Sequence, residues 1–200
     1  MDRQQNIAIR MQRAVQAGEI PGMVLALGDR HGSKWEAGFG NRALGGADAM
    51  APDSVFWIAS MTKAITGTAA MMLVEAGKLS LDTPATALVP EIGALGVLEG
   101  FDEAGQPKLR PAKRPITLRH LLTHTSGYAY DMWSAEIARF RKVTGTPAVG
   151  TCRNAALVLP LLFDPGEDWT YGIGIDWAGK MIEAATGEKL GAYLQRVIFE

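Results

Sequence analysis

The chain has 200 residues, enough for one ordinary domain or slightly more. It is 48% hydrophobic and 20% charged, an ordinary globular balance that argues against disorder. Twenty Lys and Arg face 21 Asp and Glu, so no bulk charge draws the chain to nucleic acid or an anionic membrane. The longest uncharged run is the 11 residues Ala64–Val74, short of the roughly 20 that span a bilayer. Cys152 is the single cysteine, which excludes an internal disulfide and any zinc site built on paired cysteines. The N-terminal residues lack the continuous apolar core of a secretory signal, so a cytoplasmic location is expected.

In chain order, Ile7, Ile9, Met11 and Val15 lie among charged positions and predict an amphipathic helix over 5–17, ended by Gly18 and the Pro21-Gly22 step. Met23–Leu27 and Ser33–Phe39 flank the turn chemistry of Gly28-Asp29-Arg30-His31-Gly32 and predict a β-hairpin. Two strands alone are marginal and need further partners. Residues 40–53 are rich in Gly, Ala and Asp and read as a loop. The run from Ser60 to about Ala76 predicts a helix that is apolar on nearly every face, suited to the centre of a fold.

Residues 88–115 read as a long proline-bearing loop. Thr117 is the expected N-cap of a short helix over Leu118–Leu122. Helices are predicted over 131–143 and 152–162, and a final pair over 175–186 and 189–198. The first quarter is therefore strand-forming and the remainder mainly helical, with a division near residue 50: 1–50 as helix and hairpin, 51–200 as the helical part.

The chemistry centres on Ser60-Met61-Thr62-Lys63. Ser and Lys at i and i+3 share one side of a helix, one turn apart. A serine hydroxyl is a weak nucleophile until a base takes its proton. A lysine among apolar residues loses affinity for its own proton, because desolvation penalises the charged form, and can then act as that base. First-turn N–H groups lack intrahelical acceptors, so the Ser60 N–H can donate to a developing oxyanion.

The segment Ser54-Val55-Phe56-Trp57-Ile58-Ala59-Ser60-Met61-Thr62-Lys63-Ala64 resembles the nucleophile segment of the serine β-lactamase/penicillin-binding-protein superfamily. Three more segments fit in order: Gly77–Asp82; Ile116–Gly127, which includes Thr123-His124-Thr125-Ser126-Gly127; and Phe163–Gly166 followed by Trp169-Thr170-Tyr171-Gly172. The set is most similar to the class C-like branch and, within it, to the family VIII carboxylesterases. The resemblance implies an antiparallel sheet flanked by helices, with a helical lobe, of which this chain holds the N-terminal half. The remaining strands and the second oxyanion donor are expected in a segment following residue 200.

The resemblance implies Ser60 as nucleophile, with Lys63 and Tyr171 as the proton-transfer pair; either could be the immediate base. It implies that His124 is structural. Tyr128, Trp133, Gly172 and Ile173 are the candidate substrate-binding residues, and Trp57 and Trp169 are further candidates for an acyl-site wall. β-Lactamases and peptidases of this branch carry Tyr-x-Asn, whereas this chain reads Tyr171-Gly172-Ile173. An isoleucine cannot hydrogen-bond a lactam or peptide amide, so this departure favours esters. The expected function is hydrolysis of short-chain carboxylic esters through an acyl-enzyme on Ser60. No metal, organic cofactor, nucleic-acid partner or membrane partner is implied. The alternatives are β-lactam or D-amino-acid peptide hydrolysis, acyl transfer, and a sensor that acylates once without turnover. Cys152 is expected to be an ordinary buried thiol.

Overall fold

The computed structural model describes residues 3–200. The chain divides into two compact units, the first ending at Ile58 and the second spanning Ala59–Glu200.

In the first unit, α1 (Arg3–Gln16) precedes a hairpin of β1 (Gly22–Asp29) and β2 (Gly32–Gly40). The strands are antiparallel, with Met23 opposite Phe39 and Leu25 opposite Ala37. A bulge at Leu27/Gly28 absorbs the irregular turn. The helix packs on β2, and Phe39 is the one buried hydrophobic residue among the described residues of this unit. Val55 and Trp57 are almost fully exposed.

The second unit holds the core. A short 3-10 turn (Ala59–Met61) leads into α2 (Thr62–Glu75). Then come β3 (Val97–Phe101) and β4 (Pro107–Arg110), α3 (Leu118–Leu122), α4 (Ala135–Thr144), α5 (Gly174–Thr186) and α6 (Leu190–Leu194), closed by a π-helical turn at Gln195–Phe199. Helix α5 packs on α2, α3 and α6. It buries Ile175, Trp177, Ala178, Met181 and Ile182, of which all but Ile175 join Ala69, Ala70 and Leu73 of α2 and Leu118 and Leu121 of α3 in one hydrophobic cluster. No helix among the described residues is long and apolar enough to cross a membrane.

Several helix ends follow their side chains. Thr117 caps α3 in a reciprocal box: its Oγ1 accepts from the His120 N–H, and His120 Nδ1 accepts from the Thr117 N–H. Ser134 caps α4 by accepting from the Ile137 N–H at 3.2 Å. Gly145 and Gly187 end α4 and α5 in the left-handed region.

The structure departs from the sequence expectations at four places. Residues 97–110 form an antiparallel hairpin within the expected loop; Asp102 ties its turn by accepting from the Gln106 N–H at 2.8 Å. Residues 152–162 are not an α-helix. Only Asn154–Leu157 coils, as a 3-10 turn, and Pro160 cannot continue a helix. The chain then extends so that Leu161 pairs with β3, exchanging backbone hydrogen bonds with Gly96 and Leu98 at 2.8 Å each. Helix α2 is not buried all round: Thr66, Ala69, Ala70 and Leu73 face the core, while Met71 and Met72 are exposed. Cys152 is also exposed, not buried.

Candidate active site

Ser60 lies in the 3-10 turn that enters α2, and Lys63 in the first turn of the helix itself. Ala59, just before the serine, holds φ = 45°, a left-handed conformation that costs a non-glycine residue about 1–3 kcal/mol. The sharp entry leaves Ser60 exposed. The Lys63 Nζ donates to Ser60 Oγ at 3.1 Å. With that lone pair engaged by an ammonium, the hydroxyl's own proton is free to point to another acceptor.

Tyr171, the third candidate residue, is carried on a second scaffold. Segments 124–130 and 162–171 run side by side, joined by four backbone hydrogen bonds: Leu162 N–H to Gly127 O at 2.8 Å, Gly166 N–H to Thr125 O at 2.7 Å, Thr170 N–H to His124 O at 3.0 Å, and Tyr130 N–H to Tyr171 O at 3.3 Å. Close approach requires glycine at two points. A Cβ on Gly127, at φ = 92°, would lie 2.5 Å from Phe163 O. One on Gly172 would lie 2.1 Å from Tyr128 O. The result is an aromatic cluster in which the Tyr171 ring has His124 at 4.6 Å, Trp133 at 5.3 Å and Tyr130 at 5.5 Å between centroids.

The two scaffolds meet at Lys63, whose Nζ lies 5.0 Å from the Tyr171 ring centroid and 5.5 Å from that of Tyr130. Burial alone would push the lysine pKa down. The hydrogen-bonding phenols of Tyr171 and Tyr130 outweigh it, and the ammonium titrates above its ordinary value. This reverses the expectation of a desolvated, neutral lysine base. The complementary change falls on Tyr171: the Ser60 hydroxyl and then Lys63 hold its phenol below the usual value. Tyr130 moves the other way, raised chiefly by burial. Burial and then the Lys63 charge keep His124 below the usual imidazole value.

The structure therefore brings Ser60, Lys63 and Tyr171 together. Trp133, two-thirds exposed, lies against Tyr171 and Tyr130 on the open side. Trp169 stands further out, edge-on to His124. The remaining candidate substrate contacts do not reach the surface. Tyr128 is 2% exposed; its hydroxyl accepts from the Gly93 N–H at 2.8 Å, and burial raises its pKa to about 12. It is a core residue stacked on Trp177. Ile173 is fully buried, and Gly172 is needed for backbone approach. Buried in the core, Ile173 does not wall the cleft and does not select esters. Tyr130, which the sequence offers with Tyr128 as a rival to Tyr171 able to line the cleft, lies beside Lys63. Asp176, which shares a pocket with Lys63, is the neighbour that sequence reasoning did not assign. Asp176, in the first turn of α5, reads as an ordinary complement to the helix dipole.

The β-lactamase family profile matches residues 7–200. Among curated proteins, lovastatin esterase from Penicillium rubens is 39% identical over 94% of this chain and 49% of its own length. Monacolin J acid methylbutanoyltransferase from Aspergillus terreus is 36% identical over 94% of this chain and 47% of its own. Among solved structures, unliganded simvastatin synthase from Aspergillus terreus superposes with a TM-score of 0.80 at 35% identity, covering 96% of this chain and 51% of that one. A hydrolase with promiscuous acyltransferase activity, EstCE1, shares the fold with a TM-score of 0.76 at 24% identity, over 97% of this chain and 50% of that one.

The chain belongs to the β-lactamase family and has its fold. Its more particular place is beside esterases and acyltransferases, and it spans about half the length of the curated relatives it matches.

Proposed function

We propose that the protein of which this chain is part forms an acyl-enzyme on Ser60 from a carboxylic ester carrying a short acyl group, and releases the acyl group to water. The observation that carries this reading is Ser60 Oγ held 3.1 Å from an ammonium, beside a phenol whose pKa is lowered by both.

The charge balance of the site supports Tyr171 over Lys63 as the base: the ammonium is held above its ordinary value and the phenol below it. Tyr171, as phenolate, takes the Ser60 proton while Oγ attacks the ester carbonyl carbon. The tetrahedral intermediate then collapses, the C–O bond to the alcohol breaks, and Tyr171–OH returns its proton to the departing alkoxide. Water enters by the same route in reverse: Tyr171 takes its proton, the hydroxide oxygen bonds to the acyl carbon, and Ser60 Oγ leaves and is reprotonated. Lys63 stays charged throughout. It stabilises the phenolate and donates to Oγ in each state. The Ser60 N–H, at the entrance to α2, supplies one donor to the oxyanion. No step calls for a metal or organic cofactor.

The acyl group is small on this reading. Trp133 offers an exposed indole beside Tyr171 for an apolar chain to lie against, and a relative is named for transfer of a methylbutanoyl group. The test is hydrolysis of p-nitrophenyl butyrate by the full-length protein with Ser60→Ala alongside. Turnover that vanishes in the variant supports the reading; turnover that persists in it overturns the nucleophile.

A second reading is transfer of the same acyl group to an alcohol instead of water, favoured by relatives that are named acyltransferases and are 36–38% identical to this chain. An added alcohol acceptor then yields a new ester at the expense of free acid, which product analysis resolves.

A further inference from the structure

Lys63 is the charged centre of the site, yet among the described residues no carboxylate makes a salt bridge to it. One carboxylate nevertheless shares its surroundings. Lys63 and Asp176 line the same pocket of about 250 Å³, whose other walls are Ala59, Thr62, Thr66, Ile175 and Leu190. Asp176 is the only acid on that lining. Its place is fixed by the core, because α2, which carries Lys63, packs directly on α5, which carries Asp176. The start of α5 follows Tyr171 closely in sequence, so one loop-to-helix junction presents both the phenol and the acid to Lys63.

We propose that Asp176 is a positioning residue: across the shared pocket it holds Lys63 as a permanent cation and so leaves proton transfer to Tyr171. This rests on the acyl-enzyme reading above. The need for it is electrostatic. When Tyr171 is a phenolate, the ammonium has a counter-charge beside it. When Tyr171 takes the serine proton, that counter-charge disappears and a half-buried cation is left unmatched. A carboxylate on the same pocket lining balances the cation in both states.

The groups that face Asp176 are Lys63 from α2, Tyr130 from the loop after α3, and Tyr171 from the loop before α5. Helix α6 presents only Leu190 to this pocket. Lys180, one turn along α5, is paired with Glu183 at 2.8 Å. Asp176 keeps an exposed edge, and the partial desolvation of its carboxyl by the packed helices raises it above its ordinary value, opposed by the Lys63 charge and the Tyr130 phenol. Asp176 opposes the lowering of Tyr171 by Ser60 and Lys63, and it adds to the burial that raises Tyr130.

The experiment is the pH dependence of kcat/KM for p-nitrophenyl butyrate in the full-length protein and its Asp176→Asn variant. Loss of the negative charge lowers the pKa of both Tyr171 and Lys63. The acidic limb, where Tyr171 must lose its proton, and the basic limb, where Lys63 must keep its own, both move to lower pH, by about one unit. Asp176→Glu retains the charge and keeps the wild-type limbs. Asp176→Ser removes charge and size together and repeats the downward shift, so the proposal stays testable if the asparagine variant folds poorly. Charge-removing variants whose limbs stay where the wild type has them overturn the proposal, whatever their rate. Wild-type protein without Ser60-dependent turnover would instead overturn the acyl-enzyme reading itself.

Discussion

A serine hydroxyl becomes a nucleophile only when something nearby wants its proton, and in the proposed reaction that something is the Tyr171 phenol. On that reading the ammonium of Lys63 does not compete for the proton; it makes Tyr171 a better acceptor by stabilising the phenolate. The pH dependence follows in sign. Tyr171 must be deprotonated to act, so kcat/KM rises with pH through the Tyr171 pKa, which lies below the ordinary phenol value. Tyr171→Phe removes that limb and lowers kcat roughly 10²–10⁴-fold, measured by steady-state kinetics across pH. Ser60→Ala abolishes turnover. Because Ser60 is exposed, thermal melting of that variant stays at the wild-type temperature. Ser60 and Lys63 were legible from their spacing, but the protonation state of Lys63 was not. Spacing places a lysine near a serine; it says nothing of the two phenols that reach Lys63 from residues 130 and 171.

At the scale of elements, the site depends on two strips of backbone, 124–130 and 162–171, held edge to edge by four hydrogen bonds. His124 takes part by its backbone carbonyl as well as by its ring against Tyr171. Gly172→Ala would drive a methyl group into the Tyr128 carbonyl. We expect it to cost about 1–3 kcal/mol and to lower kcat by displacing Tyr171, with denaturant melts and kinetics as the two readouts. The Thr123–Gly127 and Phe163–Gly166 motifs were legible because turns have a strong residue code. The pairing of the two strips was not, because it joins residues distant in sequence. Hairpin β3–β4 was missed for a related reason. Its strands carry Glu99, Lys108 and Arg110, and Pro107 begins β4, so neither run alternates cleanly. The helix expected over 152–162 was misread from an apolar run whose real partner is β3.

On the scale of the whole molecule, one buried acid links distant parts of the second unit. The Asp164 side chain is fully buried and takes a bidentate contact from Arg110 at 2.9 and 2.7 Å and the Lys113 N–H at 2.7 Å. The Arg110 guanidinium, then the Lys113 N–H, hold its carboxyl well below the usual range. Its folded pKa is depressed, so its contribution to stability is present above the unfolded carboxylate pKa and is lost as pH falls through the folded value. Wild-type melting temperature should therefore fall on acidification, while Asp164→Asn melts lower at neutral pH and loses less on acidification. Thermal melts at neutral and acid pH test this.

The pattern of exposure is equally informative at this scale. Val55 and Trp57 stand open in the first unit, and Met132, Trp133 and Trp169 in the second. The 200 residues expressed alone should therefore bind a hydrophobic dye and melt broadly, whereas a sharp, high-temperature transition without dye binding would count against this. The two-stranded first sheet was legible as a hairpin in need of partners. The open face of α2 was not, because an all-round apolar helix reads the same whether or not this chain covers it.

The central claim is a covalent bond between Ser60 and the acyl group of an ester. The measurement that addresses it most directly is intact mass spectrometry of the full-length protein after brief exposure to p-nitrophenyl butyrate and acid quench, with peptide mapping. A mass increase of one butyryl group is expected, located on the peptide containing Ser60 and absent in Ser60→Ala. A butyryl group mapped to another residue, or turnover of the ester with no adduct in the pre-steady state and full activity in Ser60→Ala, would contradict it.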